Sequence, residues 1–386
     1  ETGSGGEGLA ITSAGFSDST HYPLNMGTSP AGDALRLRLH YLPTAFTEAQ
    51  VRVFISALAE IVRAIATDPA ALIADIALTS ADSAAAALEF ADGGEPQRPS
   101  GTVADLLAAQ FTGNPDGRAL VLDDREVTYG ELGARVNTLA AELIAMGVGP
   151  ETAVAVRVPR SIEMVVALHA VIVAGGHFVP VDVEAPSDRV RYVLETSGAD
   201  IVLVGAGSTF AQPGVRTVTV DCSSPVGSAV DAVTDARRRG PLRAGNALYT
   251  IFTSGSTGRP KGVTVTHEAF LTLLGSDGAE NGFAASDVFL QELAYTFDPF
   301  VLELLRPVLA GGTLVLVGQD EYRDPQVIAR LVTRHRITTA FFVTSAPVPA
   351  VVGSAMKGKG GTDKGIPFPT TSRWSIAPPG AGTSAA

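Results

Sequence analysis

The stretch FTSGSTGRPKG, residues 252–262, follows an apolar, strand-like run, ALYTI at 247–251, and crowds three glycines, four hydroxyl side chains, a proline and a lysine into one turn of chain. A strand ending in such a turn presents backbone N–H groups and hydroxyls with no bulky side chain in the way, and Lys261 adds a positive charge. Those are the properties of a cradle for phosphate groups. The spacing is not the GxxxxGK[ST] loop, because Lys261 is preceded by Pro260 and followed by Gly262, so a nucleotide loop of another type is implied. The alternative on spacing alone is a flexible surface turn.

Working outward, strands and helices alternate. Apolar runs predict strands at RALVL (118–122), REVT (125–128), 152–158, 177–182, 200–205, 247–253, 312–317 and 338–343. Helical spacing predicts helices at 161–174, 187–197, 266–274, 299–309 and 325–335. Thr102 with Asp105 and Thr128 with Glu131 have capping-box spacing, and Gly147 can close the helix that Thr128 starts. This alternation predicts crossover units, hence an α/β domain of parallel-rich sheets with helices on both faces. The domain runs over 102–345. Residues 346–386 are rich in Gly and Pro without a period, and are expected to be disordered or irregular.

Residues 79–101 turn to Ala, Ser, Gly, Glu and Pro and read as an interdomain linker. Before them, ALRLRLHY (34–41) alternates, with Leu35, Leu37, Leu39 and Tyr41 on one face and Arg36, Arg38 and His40 on the other. Thr47 and Gln50 then form a capping box for a helix whose Val51, Phe54, Ile55, Leu58, Val62 and Ile65 share a face. One strand and one helix cannot close a core, so 1–78 is expected to be the closing piece of something larger.

Composition narrows the function. A chain of 386 residues, 46% apolar and 18% charged, is ordinary for a soluble protein of more than one domain. A formal charge of -12 argues against a nucleic-acid surface. The single cysteine, Cys222, cannot form an internal disulfide, which fits a reducing, cytoplasmic setting. No apolar run is long enough to span a bilayer and no basic-then-apolar leader is present, so neither membrane nor export is addressed. His21, His40, His169, His177, His267 and His335 are scattered without metal-ligand spacing, and no metal site is expected from them.

Four blocks in order carry a family resemblance. YTIFTSGSTGRPKG (249–262) resembles the phosphate-binding signature YTSGSTGxPKG of the adenylate-forming, AMP-binding superfamily. VTYGELGARVNTLA (127–140) resembles LTYxELxxRANxLA, VIVAGGHFVPVD (171–182) resembles LKAGGAYVPLD, and the stretch at 290–316 resembles the one holding FDxSVWE. The resemblance covers 102–345 and implies the large N-terminal subdomain of an amino-acid adenylation domain of a nonribosomal peptide synthetase. STHYPLNM (19–26) with the following strand and helix resembles the end of a condensation domain, the usual upstream neighbour; its catalytic HHxxxDG signature is absent.

The resemblance implies ATP and magnesium as cofactors and an α-amino acid as substrate. It also implies transfer of the acyl group to the phosphopantetheine thiol of a partner carrier protein. By position, Thr253, Ser254, Gly255, Ser256, Thr257, Gly258 and Lys261 match the phosphate loop. Asp298 matches the aspartate that holds the substrate's α-ammonium, a cation that needs a paired anion where it is buried. Its other reading is a helix N-cap ahead of Pro299. Pro299, Leu302 and Phe341 match positions lining the side-chain pocket, although an apolar run such as FFV is also what a buried strand requires. Phe300 and Leu302 depart from the family's serine and tryptophan. Beyond Ser345 the resemblance ends: the YGPTE block, the ribose-binding aspartate and the C-terminal subdomain with its catalytic lysine have no counterpart. No catalytic residue is therefore assigned, and a chain of this extent is expected to bind ATP poorly and to be close to inactive in adenylation. A fragment of a freestanding acyl- or aryl-acid ligase, and a noncatalytic nucleotide-binding module, are the competing readings.

Overall fold

The computed structural model describes residues 22–32, 34–79, 81–94, 98–224, 231–253, 259–281, 284–322, 324–343, 362–363 and 371–375. The chain divides into two compact units, Glu1–Glu95 and Pro96–Ala386, and the division falls inside the expected linker.

In the first unit, β1 (Leu24–Ala31) and β2 (Ala34–Tyr41) form an antiparallel hairpin in the register Leu24↔Tyr41 to Ala31↔Ala34. Gly32 supplies the turn's positive φ of 63°. The alternation of β2 survives in part: Leu37, Leu39 and Tyr41 are half-buried while Leu35 is exposed. β1 was not legible, because Gly27 and Pro30 break any pattern and its pairing uses backbone groups alone. Helix α1 (Glu48–Thr67) starts on the expected Thr47/Gln50 capping box, yet only Val51 on its apolar face is buried. Helix α2 (Ala81–Ala91) corrects the linker expectation. Its alanine run has the highest intrinsic helix propensity, so it coils without an amphipathic face, and none of its residues is buried.

The second unit opens with α3 (Val103–Gly113), β3 (Arg118–Leu122), β4 (Arg125–Thr128) and α4 (Tyr129–Ala145). Both expected capping boxes form: Thr102 Oγ1 accepts from Asp105 N at 3.2 Å and Thr128 Oγ1 from Glu131 N at 3.2 Å. Gly147, at φ 107°, ends α4 as expected. There follow β5 (Ala153–Arg157), α5 (Ile162–Ala174), β6 (His177–Pro180), α6 (Ser187–Ser197), β7 (Ile201–Gly205), β8 (Arg216–Val220), β9 (Ala247–Thr253) and β10 (Lys261–Thr266). Next come α7 (His267–Asn281), β11 (Val288–Gln291), α8 (Pro299–Leu309), β12 (Thr313–Leu316), α9 (Pro325–His335) and β13 (Thr339–Val343).

Two sheets result. One has the order β10-β9-β6-β5-β7-β8 and is parallel except for the β9/β10 hairpin. The other is built on parallel β13-β11-β12-β3, with β4 antiparallel at one edge. Beyond β13 lie β14 (Thr362–Asp363) and β15 (Thr371–Ser375), the latter antiparallel to β13 from Thr339↔Ser375 to Val343↔Thr371. At 362–363 and 371–375 these strands depart from the expectation of an irregular 346–386, the rest of which lies outside the described residues. They pair through the backbone of a sheet edge, which no side-chain period announces.

The layers alternate. α9 covers the outer face of the longer sheet, with Val327, Ile328 and Val332 on Leu290 and Val315. Between the sheets lie α3, α4, α5 and α8. α6 covers the outer face of the six-stranded sheet through Val190 and Val193. Helices on both faces of parallel-rich sheets are the α/β architecture that the sequence predicts. Helix α5 is apolar all round because it is the central helix: of its thirteen residues only Glu163 is not buried. No helix among the described residues is long and apolar enough to cross a membrane.

His169, within α5, is fully buried, and its Nδ1 lies 2.7 Å from the Val165 carbonyl oxygen. Burial holds its pKa down at about 4, from an ordinary 6.5. The unfolded chain therefore takes up a proton below pH 6.5 that the folded chain refuses until about pH 4, so this residue costs stability as pH falls through that window. Comparing unfolding free energies at pH 7 and pH 4, His169→Leu should gain about 3 kcal/mol relative to the wild type over the interval. A constant difference would show that the imidazole titrates normally.

Candidate functional site

β9 ends at Thr253 and β10 begins at Lys261, and the two residues face each other in register across the hairpin. Their side chains are both exposed, and among the described residues no carboxylate pairs with Lys261. Just inside, Thr250 Oγ1 and Thr264 Oγ1 are 2.8 Å apart and tie the two strands. Gly262 sits in a tight place: a Cβ there would stand 3.2 Å from the Phe252 ring and 3.2 Å from the Thr250 methyl, so both would have to give by a few tenths of an ångström. The expected phosphate-loop residues Ser254, Gly255, Ser256, Thr257 and Gly258 lie outside the described residues. The strand-turn-strand geometry brings the first and last of the predicted phosphate ligands together at one sheet end.

The second part of the site is the chain between β11 and α8. Asp298 occupies the N-cap position of α8 with Pro299 in the first turn, but its side chain makes no capping hydrogen bond, and it is exposed. The helix starts where the N-cap reading places it, while the carboxylate is left for another partner. Its charge is felt on β9: burial first, and then Asp298, push the Tyr249 phenol up to about 12. Of the predicted pocket residues, Pro299 is half-buried and Leu302 packs partly buried on the central core. Phe341 of β13 is buried, with the Arg306 guanidinium of α8 5.6 Å from its ring centroid. It therefore packs as a core residue against the helix that begins at Asp298.

A cleft of about 350 Å³ lies beside this chain, lined among others by Asp182, Glu184, Arg189, Phe252 and Thr296. It joins the residue before Thr253 to the residue two before Asp298. No group of three His, Cys, Asp or Glu side chains suited to a metal occurs among the described residues.

The segment carrying Thr296 and Asp298 is held by buried groups that the sequence did not single out. Arg160, just after β5, donates to Gln291 Oε1 at 2.9 Å, to the Glu292 carbonyl at 2.8 Å and to the Leu293 carbonyl, with Tyr322 stacked 4.3 Å from its guanidinium carbon. Glu303 of α8 accepts from Leu293 N at 3.0 Å and from Gln291 Nε2 at 3.3 Å. Burial, with Glu292 nearby, holds the Glu303 carboxyl well above the usual range, and burial pushes Glu292 up to about 7 against the pull of Arg160. The Tyr295 hydroxyl donates to the Val181 carbonyl at 2.9 Å and accepts from Val183 N at 3.0 Å. Glu303 closes the FDPFVLE stretch at 297–303, so spacing was a signal for it; Arg160 offered only a charge beside a long apolar run.

A family model described as AMP-binding enzyme matches residues 107–356, somewhat beyond the limit of 345 read from the motifs. Gramicidin S synthase 2 of Brevibacillus brevis is 32% identical over 308 residues, covering 80% of this chain and 7% of that protein. Phosphinothricin tripeptide synthetase PhsB of Streptomyces viridochromogenes is 38% identical over 255 residues, covering 64% of this chain and 21% of that one. Among solved structures, the nonribosomal peptide synthetase FmoA3 in an AMPPNP-bound form superposes with a TM-score of 0.71 at 27% identity, covering 82% of this chain and 34% of that chain. This chain thus spans a small part of each relative.

Arg160→Met keeps most of the aliphatic stem and leaves Gln291 and two buried carbonyls without their donor. Chemical denaturation should show a loss of about 3–5 kcal/mol. A loss below about 1 kcal/mol would mean that these hydrogen bonds are replaced by solvent.

Proposed function

Because this chain belongs to the AMP-binding enzyme family, we propose that it is part of a modular nonribosomal peptide synthetase and that its second unit is the nucleotide- and substrate-binding part of an amino-acid adenylation domain. What supports the reading is that Thr253 and Lys261 face each other at the end of the β9/β10 hairpin, and that Phe252, next to Thr253, and Thr296, two residues before Asp298, line one cleft.

In this reading ATP brings its magnesium on the phosphates, and Lys261 and the Thr253 hydroxyl hold the triphosphate. An exposed ammonium with no paired carboxylate among the described residues, beside a hydroxyl, fits that load. Asp298 pairs with the α-ammonium of an amino acid and so aims its carboxylate at the α-phosphorus. One carboxylate oxygen bonds to that phosphorus as the bond to the bridging oxygen breaks, and the pair of electrons leaves with pyrophosphate. The protein's part is alignment and charge compensation. The aminoacyl group would pass to the phosphopantetheine thiol of a carrier domain, in the cytoplasm.

The first unit is proposed to be the end of a condensation domain. What supports this is its unpartnered apolar surface: Val53, Phe54, Ile65, Leu72 and Ile73 are all at least half exposed, as on a piece that packs against further chain. Removing residues 1–95 should then lower the binding of anilinonaphthalene sulfonate. Equal dye binding by the 96–386 chain would count against it.

Thermal-shift titration tests the nucleotide reading. Mg·ATP should raise the melting temperature and one class of α-amino acid should raise it further. Asp298→Asn should abolish the amino-acid increment and keep that of ATP. Stabilisation by aryl or fatty acids in place of amino acids would favour an acyl- or aryl-acid ligase, and no stabilisation by any of them a noncatalytic chain. Amino-acid-dependent pyrophosphate exchange is expected to stay near background.

A further inference from the structure

The family signature covers the loop at 252–262 but not what holds its stems. Helix α6 packs on the outer face of the six-stranded sheet, and one of its residues touches both sides of the β9/β10 hairpin. The Tyr192 hydroxyl donates to the Pro260 carbonyl oxygen at 2.9 Å. Its ring meets the Phe252 ring edge to face, with centroids 6.4 Å apart and planes at 77°. Pro260 immediately precedes Lys261, and Phe252 immediately precedes Thr253.

Lys261 opens an edge strand whose first four residues are exposed, so little else restrains it. Proline offers no N–H, and the carbonyl of Pro260 is the acceptor nearest the lysine on its upstream side. Gly262, on the other side of Lys261, is where the Phe252 ring would meet a Cβ at 3.2 Å. Tyr192 therefore touches Phe252, the cross-strand partner of Gly262, and its hydroxyl bond fixes the peptide that precedes Lys261. Arg189, one turn earlier on α6, lines the adjoining cleft, so the same helix face is turned toward the site.

We propose that Tyr192 is a positioning residue for Lys261: through the Pro260 carbonyl it sets the direction in which the lysine ammonium meets the triphosphate. The inference rests on the nucleotide reading above and deepens it, since it assigns a function to a residue outside the loop motif. The ring contributes packing and the hydroxyl contributes direction, and these two roles separate in Tyr192→Phe.

The test is a double-mutant cycle on the full chain with Mg·ATP as probe, its affinity measured by calorimetry or dialysis. In the wild type, Tyr192→Phe should raise the Kd about 5-fold with a melting temperature close to the parent's. In a Lys261→Gln background, read at correspondingly higher nucleotide, the same change should have less than about a 2-fold effect, because the group it aims is gone. Equal factors in the two backgrounds, or no effect in the wild type, would overturn the positioning role and leave the nucleotide reading intact. A wild-type chain that binds no Mg·ATP would overturn that reading and this inference together.

Discussion

A guanidinium buried between two sheets is the constraint on which the site depends. Arg160 leaves the end of one sheet and spends its donors on the side chain and backbone of residues 291–293, at the end of a strand in the other. A planar cation with several donors in fixed directions can satisfy a carboxamide and two carbonyls at once, which a lysine could not. Glu303 accepts from two of the same three residues, Gln291 and Leu293, and Tyr295 returns a hydroxyl to the chain just after β6. A segment bound to both sheets cannot drift, so Thr296 and Asp298 are delivered to a defined place. Such a network is costly to desolvate, and among the described residues Glu303 Oε1 is buried without a hydrogen-bond partner; its return here is geometric definition more than stability.

The electrostatic setting is unusual for a proposed polyphosphate site. The chain carries -12 overall, and Asp182 and Glu184 line the cleft itself. Arg189 is the basic residue in the same lining, and Lys261 stands at the end of the β9/β10 hairpin. A polyanion would be accepted by a few placed donors and not by a general field, so binding depends on where Lys261 points. The exposed carboxylate of Asp298 has the opposite preference and suits an ammonium.

Much of this was legible. The helices at 187–197, 299–309 and 325–335 have the bounds that periodicity gives, because each has one apolar stripe against one sheet face. β9 was readable because it is buried on both sides. β10 was not, since an edge strand is specified by the backbone of its neighbour and its first four residues are exposed; β8 does turn Val218 and Val220 inward, but five residues are a short run for a period to show. α2 was missed for the opposite reason: its helicity comes from alanine propensity without any packing. Of the proposed site residues, Lys261 could be named from the composition of its loop and Asp298 from the resemblance of its stretch to FDxS. Glu303 had a signal in that same stretch, whereas Arg160 and Tyr192 are ordinary in sequence and only their long-range partners give them meaning.

The order of strands sets a timetable for synthesis. Every strand of the six-stranded sheet lies between Ala153 and Thr266, so that layer can assemble as soon as its own stretch has left the ribosome. β3 is made earlier but has its parallel partner in β12, where Leu120 pairs with Leu314. Its inward side chains, Leu120 among them, must wait for the later half of the chain, with only α3 and α4 to shelter them. A pause or arrest before β12 would thus release a nascent chain with one layer complete and an orphaned hairpin, which is the form that a chaperone would meet.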